Sequence, residues 1–461
     1  MEEQNNLNTE HHFEQEEAVL QIKHALDENN KQEFLEKFLE NHPFEQMQIF
    51  LELTEEEQRL INDMLTPAQF AEFLNMIESD EVNISQYLKQ MPEDLVGKIL
   101  GEMYTDNAVD VLRELTIKEA KQYVNRIPAE ARDEVKRLFY YDEETAGGIM
   151  TTEFIALNES QSVKEALYWI KHFAQEAETI YYIYVVDQLD HLVGVLSLRD
   201  LIIYPDEALL KDLMETRLIS VSIETDQLKA AQIIQDYDLL ALPVVDLDNE
   251  LVGIITVDDV LDVLEEEASS DYSGLAGVDV DIPNLTPLKA ALKRLPWLIT
   301  LLFLGMGTST LISQYESLIA EASILSVFVT LITGTAGNAG TQSLAVSVRE
   351  LSLTDDHKQT FLKTLIRELT TGLITGIVTG LTIMLVVGIW RGNFALGAII
   401  GLAMLAAITV ATLAGSFIPQ LMEKIGVDPA VASGPFISTL SDLTSVLIYF
   451  SIASYFLSSF V

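Results

Sequence analysis

The chain has 461 residues, with 28 Lys+Arg against 71 Asp+Glu and a formal net charge of −43. A surface this acidic repels phosphate backbones, which argues against nucleic-acid partners. Zero cysteines exclude disulfide scaffolds, thiolate metal sites and cysteine nucleophiles.

The charge is not spread evenly. Residues 284–461 hold nine acids and nine bases, so the whole acidic surplus lies in 1–283. The acidic part must face water and suits cations as partners. It opens without an apolar leader core, which predicts no cleavable signal peptide. The stretch 1–30 is expected to be disordered, although helical spacing begins near residue 15, and its His11-His12 pair is a weak metal candidate. Residues 31–148 read as a helical N-domain, because runs such as Ala108-Val-Asp-Val-Leu-Arg-Glu-Leu repeat apolar residues every three or four positions. Pro43, Pro67, Pro92 and Pro128 fall at predicted helix starts, and a superhelical stack of short helix pairs fits best.

From 149 to 267 strands alternate with helices, and the pattern repeats. Val193-Gly-Val-Leu-Ser-Leu-Arg-Asp-Leu201 returns one unit later as Val252-Gly-Ile-Ile-Thr-Val-Asp-Asp-Val260. Each copy follows an apolar strand and opens on a methionine, Met150-Thr-Thr and Met214-Glu-Thr. Two βαββα units of this kind resemble a tandem cystathionine-β-synthase (CBS) pair, an α/β regulatory module whose clefts often take adenine nucleotides. Within it, Ser197-Leu-Arg-Asp200 is either a ribose-holding element or a helix cap. In the first reading Asp200 accepts from ribose, Arg199 meets phosphate and Tyr182 stacks on a base. In the second copy Asp258 stands in place of Arg199 and opposes phosphate, which leaves capping or a metal for Thr256-Val-Asp-Asp259.

The last part is membrane. Five apolar stretches, at about 295–315, 322–347, 369–389, 395–421 and 434–459, are long enough to cross a ~30 Å hydrocarbon core. Eight of the nine Lys and Arg residues in this half fall on one side of a five-span count, and Arg391 alone on the other. That places the N-terminus in the cytoplasm and Val461 outside. Asp442 stands eight residues into the fifth stretch with no base after Lys424. A lone carboxylate at that depth costs several kcal/mol and marks a functional site, here a cation route lined by Ser438, Ser441 and Ser445. Its bland alternative is a protonated acid bonded inside the bundle. Pro435 is expected to free backbone carbonyls for a water-filled cavity. In the second stretch, Asn338 and Gln342 add amide dipoles beside glycines 334, 337 and 340, either as pore lining or as helix packing.

Taken in order, the acidic N-domain ending Glu144-Thr-Ala-Gly-Gly-Ile-Met150, the CBS pair and the five spans resemble the MgtE family of magnesium transporters and channels. The signatures Gly337-Asn-Ala-Gly-Thr-Gln342, Asp428-Pro-Ala-Val-Ala-Ser-Gly-Pro435 and Ser441-Asp-Leu-Thr444 carry that resemblance. It implies a multidomain membrane protein: a helical N-domain (31–148), an α/β CBS pair (149–267), a connecting plug helix and linker (258–290) and an all-α pore domain (291–461). It further implies a homodimer in the lipid bilayer of the cell membrane, carrying Mg²⁺ down its electrochemical gradient, with no enzymatic step. Asp442, the Ser438 carbonyl and Asn338 would hold the ion in the pore, with Gly434 at a place where some relatives have Asn. Asp106 and Asp110 of the N-domain would bind regulatory Mg²⁺ with Asp238, Asp259, Asp262, Glu267, Asp271 and Asp428. ATP would sit at the CBS pair. Ser270 and Leu239 depart from the family pattern, where an acid and an aromatic can stand. The competing classes are a CBS-regulated channel for another substrate and a membrane enzyme. The lone membrane acid opposes a chloride route, and no Ser-His-Asp set, phosphate loop or His/Glu metal motif serves an enzyme.

Overall fold

The computed structural model describes residues 18–76, 84–175, 177–278, 286–321, 323–351, 361–426 and 432–456. They divide into two compact units, Met1–Val263 and Leu264–Val461.

The first unit opens with a helix over 18–27, where Ile22 and Leu26 are fully buried. Disorder across 1–30 is therefore wrong for its second half, because Val19, Ile22, Ala25 and Leu26 recur at helical spacing and bury one face. Residues 1–17, with His11-His12, lie outside the described residues. Short helices follow from Lys31–Leu39 to Ala129–Phe139. Thr54, Thr66 and Thr116 each cap a helix reciprocally with Glu57, Gln69 and Glu119. Pro43 and Pro67 occupy first turns, and Pro92 and Pro128 hold the cap positions, where a missing N–H costs nothing. Phe34, Phe38, Phe50, Phe70 and Phe73 are buried between these helices, Phe38 meeting Phe73 edge-on at 5.7 Å.

The sequence repeat folds as two matching sheets. β1 (Ala156–Asn158) runs parallel to β2 (Tyr182–Val186), which pairs antiparallel with β3 (Leu192–Ser197). β4 (Val221–Ser222), β5 (Ala241–Val245) and β6 (Leu251–Thr256) repeat that order. The methionine segment opening each copy crosses to the other: Thr151 bridges to Ile254 on β6, and Glu215 to Val195 on β3. Met150 then lies on Gly253 and Met214 on Gly194, so close that neither glycine has room for a side chain. This explains why both copies carry a glycine at the centre of the repeated strand.

In the second unit five helices are long and apolar enough to cross a membrane: Pro287–Gln314, Ser323–Leu351, Phe361–Arg391, Phe394–Lys424 and Gly434–Tyr455. Even the shortest, with 22 residues, reaches ~33 Å at about 1.5 Å per residue. Gly372, Gly376 and Gly380 of the third span lie on the main chain of the fourth at Thr409, Leu405 and Gly401, the close approach that membrane helices favour. Thr371, Thr375, Thr379 and Thr382 return their hydroxyls to carbonyls four residues earlier, at 2.7–2.9 Å, which hides them from lipid. Glu368, which the sequence puts at the membrane edge, is buried, accepting from Ser343 Oγ at 2.8 Å. Arg367 pairs with Glu350 (2.6 Å) and with Glu368 (3.3 Å).

Candidate functional site

The fifth span begins at Gly434, with Ser433 as its cap and Pro435 in the first turn. There the proline interrupts no helical hydrogen bond, so the expected release of carbonyls does not occur. Asp442, two turns further in, is partly buried. Among the described residues none donates to its carboxylate or pairs with it. On either side of it, Ser441 Oγ and Ser445 Oγ are buried without hydrogen-bond partners.

The glycines of the second span set the distance to this helix. A Cβ on Gly337 would lie 2.9 Å from Ser438 Oγ, and one on Gly340 the same distance from Ser441 Oγ. Any side chain there would push the Asp442 helix away. Gly334, by contrast, has no neighbour within 4 Å, and Asn338 and Gln342 are exposed. Among the described residues, that polar face of the second span is therefore uncovered.

A second site stands in the first unit. One carboxylate oxygen from each of Asp106, Glu178 and Asp259 falls within 4.8 Å of the others. Asp106 is in the first turn of the helix Thr105–Arg113 and is 5% exposed. The start of that helix is pinned by Thr105 Oγ1, which lies 2.9 Å from Thr152 Oγ1 and donates to Glu153 Oε1 at 2.5 Å. Asp259 is fixed by Thr256, whose N–H donates to its Oδ2 at 3.2 Å. Glu178 arrives on the segment before β2, where its own N–H bonds to the Glu153 carbonyl at 2.9 Å, and its Oε2 is buried without a partner.

The charges acting on these three groups are all carboxylates. Burial, and then the charge of Asp259, pushes Glu178 up to about 8 and raises Asp106 well above the usual range; burial pushes Asp259 up to about 7, with the Thr256 hydrogen bonds opposing and the charges of Asp258 and Asp262 adding to it. Carboxylates that hold protons this firmly, with no base among the main charges acting on them from the described residues, can exchange those protons for a cation. The spacing, within 4.8 Å, is close to what one ion spans. Octahedral oxygens ~2.1 Å from Mg²⁺ stand ~3 Å apart as neighbours and ~4.2 Å apart across the metal.

Glu178 is the residue that sequence reasoning missed. It lies in an acid-rich loop, Gln175-Glu-Ala-Glu178, with no periodicity to single it out. Of the other expected ligands, Asp110 instead meets Arg113 at 3.2 Å, and burial pushes it up to about 6. Asp238 is exposed, ending the helix Gln227–Tyr237 at φ 51°. Asp262, Glu267 and Asp271 are strung along the helix Val257–Ala276 and do not join the group. Asp428 lies outside the described residues.

At the expected nucleotide element, Asp200 Oδ2 accepts from Ser197 N (2.9 Å) and Ser197 Oγ (2.6 Å), so the cap is formed. Tyr182 Oη accepts from Leu240 N at 3.5 Å, and Arg199 is exposed. A cleft of about 540 Å³ lies elsewhere, walled by Glu153, Asn158, Trp169 and Phe173.

Fold and site together define a multi-pass membrane protein with a carboxylate-bearing span, whose acidic unit carries a CBS pair and three carboxylates close enough together to hold a metal ion. Family matches run along it in the same order: the MgtE intracellular N domain over 41–144, CBS domains over 146–207 and 210–266, and the MgtE divalent cation transporter over 329–452. The magnesium transporter MgtE of Enterococcus faecalis is 55% identical over 448 residues, covering 97% of this chain and 99% of that one. That of Thermus thermophilus is 36% identical over 454 residues, covering 95% and 98%. The crystal structure of the soluble part of a magnesium transporter is similar with a TM-score of 0.54 at 44% identity, over 55% of this chain and 99% of that one. The chain belongs to the MgtE family.

Proposed function

We propose that this chain carries Mg²⁺ into the cell down its electrochemical gradient, and that cytoplasmic Mg²⁺ closes the route. The observation that carries the reading is Asp442: a carboxylate in a membrane helix, without a counter-charge among the described residues, flanked by serines of which Ser438 and Ser441 lie close to Gly337 and Gly340. Its relatives are named as magnesium transporters. The exposed face at Gly334, Asn338 and Gln342 supports a homodimer, in which two copies of Asp442 face each other across a two-fold axis. Mg²⁺ releases its waters reluctantly, so the two carboxylates would hold it hydrated, with the Ser438 and Gly434 main chain and Asn338 meeting the water shell. The distribution of Lys and Arg supports a cytoplasmic N-terminus and an outer C-terminus.

Closure rests on the acidic group. Folding Asp106, Glu178 and Asp259 together is repulsive, and a bound cation removes that cost, so Mg²⁺ selects the compact state. Asp106 comes from the N-domain, Glu178 from the first CBS copy and Asp259 from the second, so one ion ties all three. Asp110, Asp238, Asp262, Glu267, Asp271 and Asp428 belong to the proposal as positions for further regulatory ions. ATP enters as a modulator, with Arg199 toward phosphate and Tyr182 and Asp200 toward the nucleoside.

The test is uptake into vesicles loaded with a fluorescent Mg²⁺ indicator. Wild type is expected to fill with Mg²⁺ and Asp442→Asn to remain near the protein-free rate. Equal filling by both would remove the pore assignment.

A further inference from the structure

We infer that Glu368 determines ion specificity from behind the cation route: through Ser343 and Arg367 it buckles the third span to the back of the second, and so holds the route at one width. The inference rests on the reading that the exposed face of the second span, at Gly334, Asn338 and Gln342, lines that route with Asp442. It names what makes the route choose Mg²⁺ over Ca²⁺.

The second span needs such a hold. Toward the fifth span it presents Gly337 and Gly340 to Ser438 and Ser441, and toward the fourth its Gly340 carbonyl lies on Gly415. Glycine faces come close but carry no ridges that interlock, so they leave a helix free to turn about its axis or slip along it. Its register is set by polar contacts on another stripe, one that carries Ser343 and Glu350 and is turned away from Gly334, Asn338 and Gln342.

Ser343 Oγ lies 2.8 Å from Glu368 Oε2 on the third span and 2.8 Å from the Thr412 carbonyl on the fourth. Two turns further along, Glu350 Oε2 pairs with Arg367 Nη2 at 2.6 Å, and its Oε1 accepts from the Thr364 hydroxyl at 3.2 Å. Arg367 closes the circuit with its Nε, 3.3 Å from Glu368 Oε1. Two consecutive residues of the third span thus grip the second at two points, ~10 Å apart along its axis. One point would be a pivot; two fix rotation and register together. The third span is a firm anchor, because Gly372, Gly376 and Gly380 seat it on the main chain of the fourth. Glu368 is 6% exposed, and a buried acid in a membrane helix is costly to keep. A glutamine would serve Ser343 as well. The carboxylate serves Ser343 with one oxygen and the Arg367 guanidinium with the other.

Rigidity matters for the choice of ion. Mg²⁺ demands near-octahedral order and keeps its waters, whereas Ca²⁺ accepts six to eight oxygens in flexible geometry. A route of fixed width favours the first, and a loosened one admits the second.

Two readouts test this in the full-length protein. Uptake into vesicles is measured for Mg²⁺ and for Ca²⁺, each with its own indicator. Ser343→Ala and Glu368→Ala should each lower the Mg²⁺-to-Ca²⁺ ratio at least fivefold, and the double variant no further, since the two act as one unit. Glu368→Gln, which keeps the acceptor for Ser343, should lower it about twofold. A purely structural role would reduce both fluxes and leave the ratio alone. The second readout does not depend on transport. The chain has no cysteine, so spin labels can be placed at Gly334→Cys, which has no neighbour within 4 Å, and at Ile389→Cys, exposed on the third span. In protein diluted with unlabelled chain, the distance between them should be sharply defined, and its spread should at least double in Ser343→Ala and Glu368→Ala. An unchanged ratio or an unchanged spread in both variants, or losses that multiply in the double variant, would overturn the buckle. Failure of the transport reading looks different: wild type would then take up neither ion above the protein-free rate, while the label distances still report on Glu368.

Discussion

At the scale of residues, the three-carboxylate group makes pH a direct probe. Glu178, Asp259 and Asp106 hold their protons well above the ordinary carboxylate range because burial and their neighbours' charges oppose ionisation. A raised folded-state value means that protonated, cation-free protein keeps its full stability below pH ~4 and loses it as pH rises through about 7 to 8. Melting in chelator should therefore shift to lower temperature between pH 6 and pH 8. Saturating Mg²⁺ should remove that slope, because the ion replaces the protons. A melting temperature flat with pH in chelator would show that the group is not coupled to folding. Glu178→Gln should weaken Mg²⁺ stabilisation at least tenfold at pH 8, read as the concentration giving half the melting shift; an unchanged midpoint would remove Glu178 from the ligand set. Asp106 and Asp259 were visible in the sequence because the family resemblance points to them. Glu178 was not, since its role depends on meeting Asp106 and Asp259, both far from it along the chain, and no local pattern encodes either contact. Ser343 and Glu368 were hidden for the same reason: their hydrogen bond joins two helices 25 residues apart in the chain.

At the scale of elements, most starts and repeats could be read beforehand. Proline at a helix start is a local signal with a local cause, and helices begin where Pro43, Pro67, Pro92 and Pro128 predict. The two βαββα copies were equally plain. What could not be read was the exchange between them, Met150 onto Gly253 and Met214 onto Gly194, because alternation gives a strand's faces but not the identity of what covers them. Gly253→Ala should cost about 1–3 kcal/mol, the usual penalty for overpacking a filled core. It should appear as a lower urea midpoint for the acidic unit with the slope unchanged, whereas an unchanged midpoint would mean that Met150 moves aside freely. Pro435 was misjudged for a related reason: a proline breaks a helix only beyond its first turn, and the position of the turn is decided by Ser433.

At the scale of the molecule, the split between an acidic half and a neutral one is the most legible feature of all. It predicts where water and lipid lie before any helix is drawn, and the five long apolar helices fall in the neutral half. The same split makes the acidic half a reservoir of carboxylate repulsion that divalent cations relieve more effectively than monovalent ones. Replacing Mg²⁺ by Na⁺ at equal total charge should therefore leave that half as open to proteolysis as chelator does; equal protection by both ions would reduce the acidic group to a screening effect. The central claim is that Asp442 holds the transported ion while the acidic half reports its abundance. The direct measurement is Mg²⁺ current in inside-out membrane patches, with cytoplasmic Mg²⁺ varied, for wild type and Asp442→Ala. The account predicts a current in wild type that falls as cytoplasmic Mg²⁺ rises, and none in the variant. A current that survives Asp442→Ala, or one in wild type that ignores cytoplasmic Mg²⁺, would contradict it.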